Sequence, residues 1–375
     1  MYKNEFHMKK TTIIKGSAVV LLSLLLFFLI YNNYSLYDST IAKVTTVQNT
    51  FLDSKNSTKG NTENYYKQQI QAIVKNGPHK GQLVHLQNTY GESLVYDNKY
   101  SSGTSLFIEN LTEGDKDLTA NISGVKRDYY VAAVVLILVD LLIMVGGLQG
   151  FFTILCLSVN IILFYAMLLL HYNGLNILLL SSIMSVLFSS IVLFLINGRS
   201  RTTVIALCAT LASIFFVTAL SFVVMRFTPD IDYEFLEYLI HPYERSDADM
   251  LFLSEILMGC VGAIIDISVT ITSCASELLR KDPFITKKAL ISSCREVSED
   301  ITGTMINTVF FTNVSSCIPL FILSIQNEIK FMTVIRYNVF FEVCRFLTGS
   351  IGIVAAIPVS ILAVYLVYGR RDSTC

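Results

Sequence analysis

Hydrophobic and polar positions follow three different rhythms along this chain. The run Ala18–Ile30 is apolar almost throughout and lacks charge, and Lys3, Lys9, Lys10 and Lys15 precede it. Such flanks mark an export signal, yet Tyr31-Asn-Asn-Tyr34 follows with no small-x-small cleavage site. Residues 1–31 therefore read as an uncleaved membrane anchor helix. Residues 32–128 have soluble composition and strand-like alternation. Tyr66–Lys75 alternates, Asn76-Gly77-Pro78 turns the chain, and Gly81–Asn88 alternates again. Ser105–Glu109 and Leu118–Ile122 have the look of further short strands, which together predict a small barrel or open sheet. From Tyr129 onward the apolar runs lengthen. Candidate spans lie near 129–147, 151–171, 175–196, 203–225, 249–276, 301–325 and 345–368. Each suits a hydrocarbon core about 30 Å thick.

The expected fold is thus an all-α polytopic membrane bundle of about eight transmembrane helices, with a small β-rich domain after the first helix. Three segments are expected: the anchor 1–31, the β-rich domain 32–128 and the helical domain 129–375. Composition agrees. The chain is 53% hydrophobic and only 15% charged, with mean hydropathy +0.56. Soluble domains carry about 25% charge. A net charge of −1 without a basic run argues against nucleic acid as a partner and leaves the lipid bilayer. Trp is absent, so Tyr31, Tyr34, Tyr129 and Tyr130 take the interfacial anchor positions.

Charge orients the array. Arg199, Arg201, Arg280, Lys281, Lys287, Lys288, Arg295, Arg370 and Arg371 fall in the connections on the side of the N-terminus. The connection 226–249 on the other side is rich in acids, among them Asp230, Asp232, Glu234, Glu237, Glu244, Asp247 and Asp249. The positive-inside rule then places both termini in the cytoplasm and residues 32–128 outside. No cysteine lies between Tyr31 and Tyr129, which excludes a disulfide-stapled outer domain, and no C-x-x-C pair suggests a metal.

Ionisable groups in the spans cost about 2.5–3.5 kcal/mol each near mid-bilayer, which makes them informative. Asp140, Glu255, Asp266 and Glu277 are the candidates. The last three are eleven apart, close to three helical turns, and so share one stripe with a rise of about 16 Å between carboxylates. Gly259, Gly262, Thr270 and Ser273 lie on or beside it. In the next span Asp300, Gly303, Thr304, Asn307 and Phe311 repeat a helical spacing. Gly349-x-x-Gly352 and Ala355-Ala356 form a small-residue surface in the last span, and Pro358 frees a carbonyl there.

Two functions fit these faces. Facing each other, they would make a polar transmembrane path of Asp266, Thr270, Glu277, Asp300, Thr304 and Asn307, with Gly259, Gly262, Gly303, Gly349 and Gly352 permitting close helix packing. Alternatively the polar groups merely bond one another and hold the helices in register. No enzyme constellation is present. His7, His79, His85, His171 and His241 do not cluster, and Gly-x-Ser-x-Gly, His-Glu-x-x-His and phosphate-binding glycine loops are missing. Neither catalysis, a cofactor nor a metal site is expected.

The blocks Gly262-Ala-Ile-Ile-Asp266, Ala275-Ser-Glu277-Leu and Asp300-Ile-Thr-Gly303-Thr304-Met-Ile-Asn307-Thr308 resemble those of the YibE/F-like multi-pass membrane proteins, as does Gly349-Ser-Ile-Gly352 with Pro358. The resemblance extends over the transmembrane region and more loosely over the outer domain. It implies a bacterial cell membrane and a paired membrane protein of the same family as partner. The expected function is permease-like transport of a small solute or ion through the path around Asp266 and Asn307. The alternative is a non-transporting scaffold or sensor that meets a partner through its outer domain.

Overall fold

The computed structural model describes residues 10–56, 62–113, 118–227, 233 and 244–368. Asp230, Asp232, Glu234, Glu237, Arg370 and Arg371, used above to orient the chain, lie outside the described residues. The protein is mostly helical, with a small β-domain near its N-terminus. It divides into two compact units, Met1–Gly147 and Leu148–Cys375.

The first unit holds α1 (Lys10–Tyr31), five strands and α2 (Asp128–Gly146). The strands are β1 (Thr40–Asn56), β2 (Thr62–Val74), β3 (Leu83–Gly91), β4 (Ser105–Glu113) and β5 (Leu118–Val125). They close into a barrel in the order β1-β2-β3-β5-β4. β3 and β5 run parallel, and the other pairs are antiparallel. Closure removes the unpaired edges that an open sheet would expose. β1 is the longest strand and had no counterpart in the sequence reading. Its register shifts between Val44 and Thr46 and again between Phe51 and Asp53, which interrupts the alternation that reveals a strand. The turn after β2 falls at Asn76-Gly77-Pro78, as expected, and Gly77 takes the left-handed φ of +76° it requires.

Inward positions alternate along the strands, and Ala42, Val44, Ile70, Ala72, Val84, Leu86, Leu106 and Ile108 form the barrel core. Gln68 is the polar member of this interior. Its amide donates to Asn49 Oδ1 and to the Tyr100 carbonyl, while its Oε1 accepts from Asn88 and from the Tyr100 N–H. All the bonding capacity of a buried amide is thereby used, and the segment before β4 is tied to the barrel. Leu21, Leu22, Leu25, Val134, Ile137 and Leu141 of α1 and α2 stay exposed, which suits helices solvated by lipid.

The second unit begins with α3 (Leu148–Tyr172), α4 (Ile177–Ile196) and α5 (Arg201–Phe227). α6 (Arg245–Lys281) follows, then α7 (Lys287–Val314), α8 (Ile318–Gln326), α9 (Phe331–Val334), a π turn over Ile335–Val339 and α10 (Phe340–Tyr368). α7 and α8 together replace the single span expected at 301–325. α7 starts at Lys287, well before 301, because Leu290, Cys294 and Ser298 recur every fourth residue and bury one face of its polar first half. It also ends at Val314, where the 3₁₀ turn Ser315–Cys317 leads to the proline at the start of α8.

α6 is the axis of this unit. Its 37 residues rise about 55 Å, more than a bilayer core needs. Ile264, Ile267 and Ile271 are fully buried and share the core with Val217 of α5 and with Ile353 and Ala356 of α10. α10 approaches closely because of its glycines. A Cβ on Gly352 would lie 2.8 Å from Ile264 Cδ1, and one on Gly349 would lie 3.3 Å from Val309 Cγ1.

Candidate functional site

The acidic stripe of α6 looks away from that core. Ile264 and Ile271 stand roughly opposite Asp266 on the helical wheel, with Ile267 about a quarter-turn from it, and burying them turns Asp266, Gly259 and Gly262 outward, where all three are exposed. No atom comes within 4 Å of a Cβ built on Gly259 or Gly262. Asp266 makes no side-chain hydrogen bond or ion pair among the described residues, and Thr270 Oγ1 donates back to the Asp266 carbonyl at 2.8 Å. Glu277 is half-buried at the other end and accepts from Arg280 at 2.9 Å.

α7 behaves alike. Ile301, Met305, Ile306 and Val309 pack onto the core, which sends the opposite face, with Asp300, Gly303, Thr304 and Asn307, outward. Gly303 is as open as the α6 glycines. Thr304 Oγ1 donates to the Ile301 carbonyl and Asn307 Nδ2 to the Gly303 carbonyl, each at 2.8 Å. This corrects the expectation that the two polar faces meet. Among the described residues no side-chain hydrogen bond joins Asp266 or Thr270 to Thr304 or Asn307. The apolar stripes of the two helices claim the interface, and Thr270, Thr304 and Asn307 bond to their own backbones.

The α6 stripe does enter a cavity. A recess of about 810 Å³ is lined by Ser273, Ser276 and Glu277 of α6, by Asn197, Ser200 and Thr203 between and on α4 and α5, and by Lys287 and Tyr365. The Lys287 ammonium lies 4.5 Å from the centre of the Tyr365 ring, a cation–π contact that holds it at the rim. The lining reaches Val269, one turn short of Asp266. Water and small polar solutes fit such a space, and both signs of charge are available in it.

Three ionic features escaped the sequence reading. Glu255 is paired: its Oε1 lies 2.8 Å from Arg345 of α10, whose guanidinium also reaches Glu342 at 3.1 Å. Asp140 accepts from Ser23 of α1 at 2.6 Å, so this mid-span acid joins α1 to α2. Lys126, 1% exposed, binds both oxygens of Asp128 and the Ile30 carbonyl at the foot of the barrel. Only proximity in space reveals such pairs, since the partners are far apart in sequence or sit at a span's edge.

The sequence profile described as YibE/F-like protein matches residues 134–370, and the one described as YibE/F family N-terminal domain matches residues 35–125. The chain belongs to the YibE/F family. No curated protein and no solved structure matches it. The long match covers α3 to α10 and so includes every residue of the α6 stripe and its cavity, whereas the short one covers the barrel. Among the described residues of this YibE/F-family protein, seven helical segments, α7 and α8 counted together as Lys287–Gln326, are long and apolar enough to cross a membrane, and Gly16–Tyr31 is a shorter apolar helix.

Proposed function

We propose that this YibE/F-family protein is permease-like and moves a small solute or ion along the exposed stripe of α6. It sits in a bacterial cell membrane with both termini cytoplasmic and the barrel outside. The carrying observation is the continuity of one helix face. Glu277 and Ser273 line the recess of about 810 Å³, and Thr270 and Asp266 continue the same face toward mid-helix. A carboxylate without a protein partner can accept a cation or proton arriving from that recess and release it again, which a saturated ion pair could not. Thr304 and Asn307 take no part in this route, because their hydrogen bonds close on α7 itself, and Asp300 shares their outward face. No catalytic step is assigned to the chain.

The test is flux in proteoliposomes. Protein is reconstituted with a trapped pH-sensitive dye, a membrane potential is imposed, and wild type is compared with Asp266→Asn. Loss of proton flux in the variant, with unchanged yield and melting, supports the route. Equal flux removes Asp266 from the mechanism.

The openness of Gly259, Gly262 and Gly303 favours a second reading, a scaffold whose exposed polar faces are covered by a paired membrane protein. Cross-linking from Gly262→Cys in native membranes separates the two. A specific adduct with another membrane protein, without flux in the purified chain, selects the scaffold.

A further inference from the structure

The Glu255–Arg345–Glu342 cluster lies in a second cavity, distant along α6 from the one at Glu277. This cavity has a volume of about 590 Å³ and is formed by α3, α4, α6 and the start of α10. That volume suits a small organic ligand. Its walls include Phe164, Met167, Leu251, Met258 and Phe341, while the ionic cluster provides the polar side.

Charge decides what fits. Arg345 Nη2 is 2.8 Å from Glu255 Oε1, and Nη1 is 3.1 Å from Glu342 Oε2. One guanidinium therefore faces two carboxylates, and one negative charge is left over. The second oxygen of each carboxylate, Glu255 Oε2 and Glu342 Oε1, accepts no hydrogen bond among the described residues. An anion is disfavoured, because the two carboxylates outnumber the one guanidinium and leave the cluster net negative. A hard metal ion is also disfavoured. Such ions need six or more oxygens, whereas among the lining side chains only Glu255, Glu342, Ser181 and Ser254 carry any, and Arg345 already engages one oxygen of each glutamate. What remains complementary is a single delocalised positive charge on an apolar body. Carboxylate oxygens would balance the charge, and the ring faces and thioethers would contact the body.

We propose that this cavity binds a monovalent organic cation, of the quaternary ammonium or phosphonium class, through Glu255 and Glu342 with Arg345 holding both in place. The site is independent of the transport reading, because binding is measured without flux.

Full-length protein in lipid nanodiscs is titrated calorimetrically with tetraphenylphosphonium and, in parallel, with tetraphenylborate, an anion of the same shape. Saturable binding of the cation is expected, weakened at least tenfold in Glu342→Gln and in Glu255→Gln. Met258→Trp keeps the ionic cluster but fills the cavity, and it should abolish binding while melting stays unchanged. This variant carries the test should either glutamate substitution unfold the protein. Equal cation affinity in wild type, Glu342→Gln and Met258→Trp would mean partition into lipid and overturn the assignment. So would tighter binding of the borate than of the phosphonium.

Discussion

Replacing Lys126 by Met removes a cation from the place where the barrel meets α1 and α2, and its cost can be worked from the contacts. The ammonium lies 2.7 and 3.0 Å from the two oxygens of Asp128 and 3.1 Å from the Ile30 carbonyl. The rings of Tyr34, Tyr37 and Tyr129 surround it at 5.4, 5.8 and 5.6 Å. Met preserves most of the stem's packing, so the loss is chiefly electrostatic. Removing one member of a fully buried pair costs about 3–5 kcal/mol. Asp128 is a quarter exposed and keeps the Tyr37 hydroxyl at 2.8 Å and the Asn33 amide at 3.1 Å, so the lower end applies, about 3 kcal/mol. Since 1.4 kcal/mol is tenfold in an equilibrium constant, local opening should become roughly 100-fold more frequent. Hydrogen-exchange mass spectrometry on peptides spanning residues 30–42 and 124–131 measures this directly. The double variant Lys126→Met/Asp128→Asn should recover more than half of the protection, because no uncompensated charge is left. A change under threefold in the single variant, or no recovery in the double, would refute the claim that this ion pair fastens the barrel to its helices.

Two further substitutions probe packing. Gly352→Ala places a methyl 2.8 Å from Ile264 Cδ1 and 3.2 Å from Val217 Cγ2, and overpacking there should cost about 1–3 kcal/mol, read as a lower melting temperature in detergent. Gly262→Ala meets no atom within 4 Å, so the same assay should show no loss and a gain of up to about 1 kcal/mol from helix propensity. Loss at both positions would mean that the α6 stripe is covered. In the barrel, Gln68→Leu leaves the Tyr100 N–H and carbonyl and the Asn49 and Asn88 side chains without their partner, and should destabilise by at least about 2 kcal/mol by chemical denaturation. Unchanged stability would show that water replaces the buried amide.

The hydrophobic pattern alone determined the architecture of this protein, because lipid solvation demands long uncharged runs and a half-buried strand demands alternation. The helices from α2 to α6 and four of the five strands followed from those two rules. β1 did not, since two register shifts break its alternation, and neither did the early start of α7, whose buried face lies among charged residues. Helical spacing likewise showed that Glu255, Asp266 and Glu277 share one face. Spacing fixes which residues lie together on a helix, yet it is blind to rotation about the helix axis. That rotation is settled by competition among all stripes for burial. Here the isoleucines of α6 and the apolar stripe of α7 won the interior, turned Asp266 and Asn307 outward, and brought Arg345 to Glu255 from far along the chain.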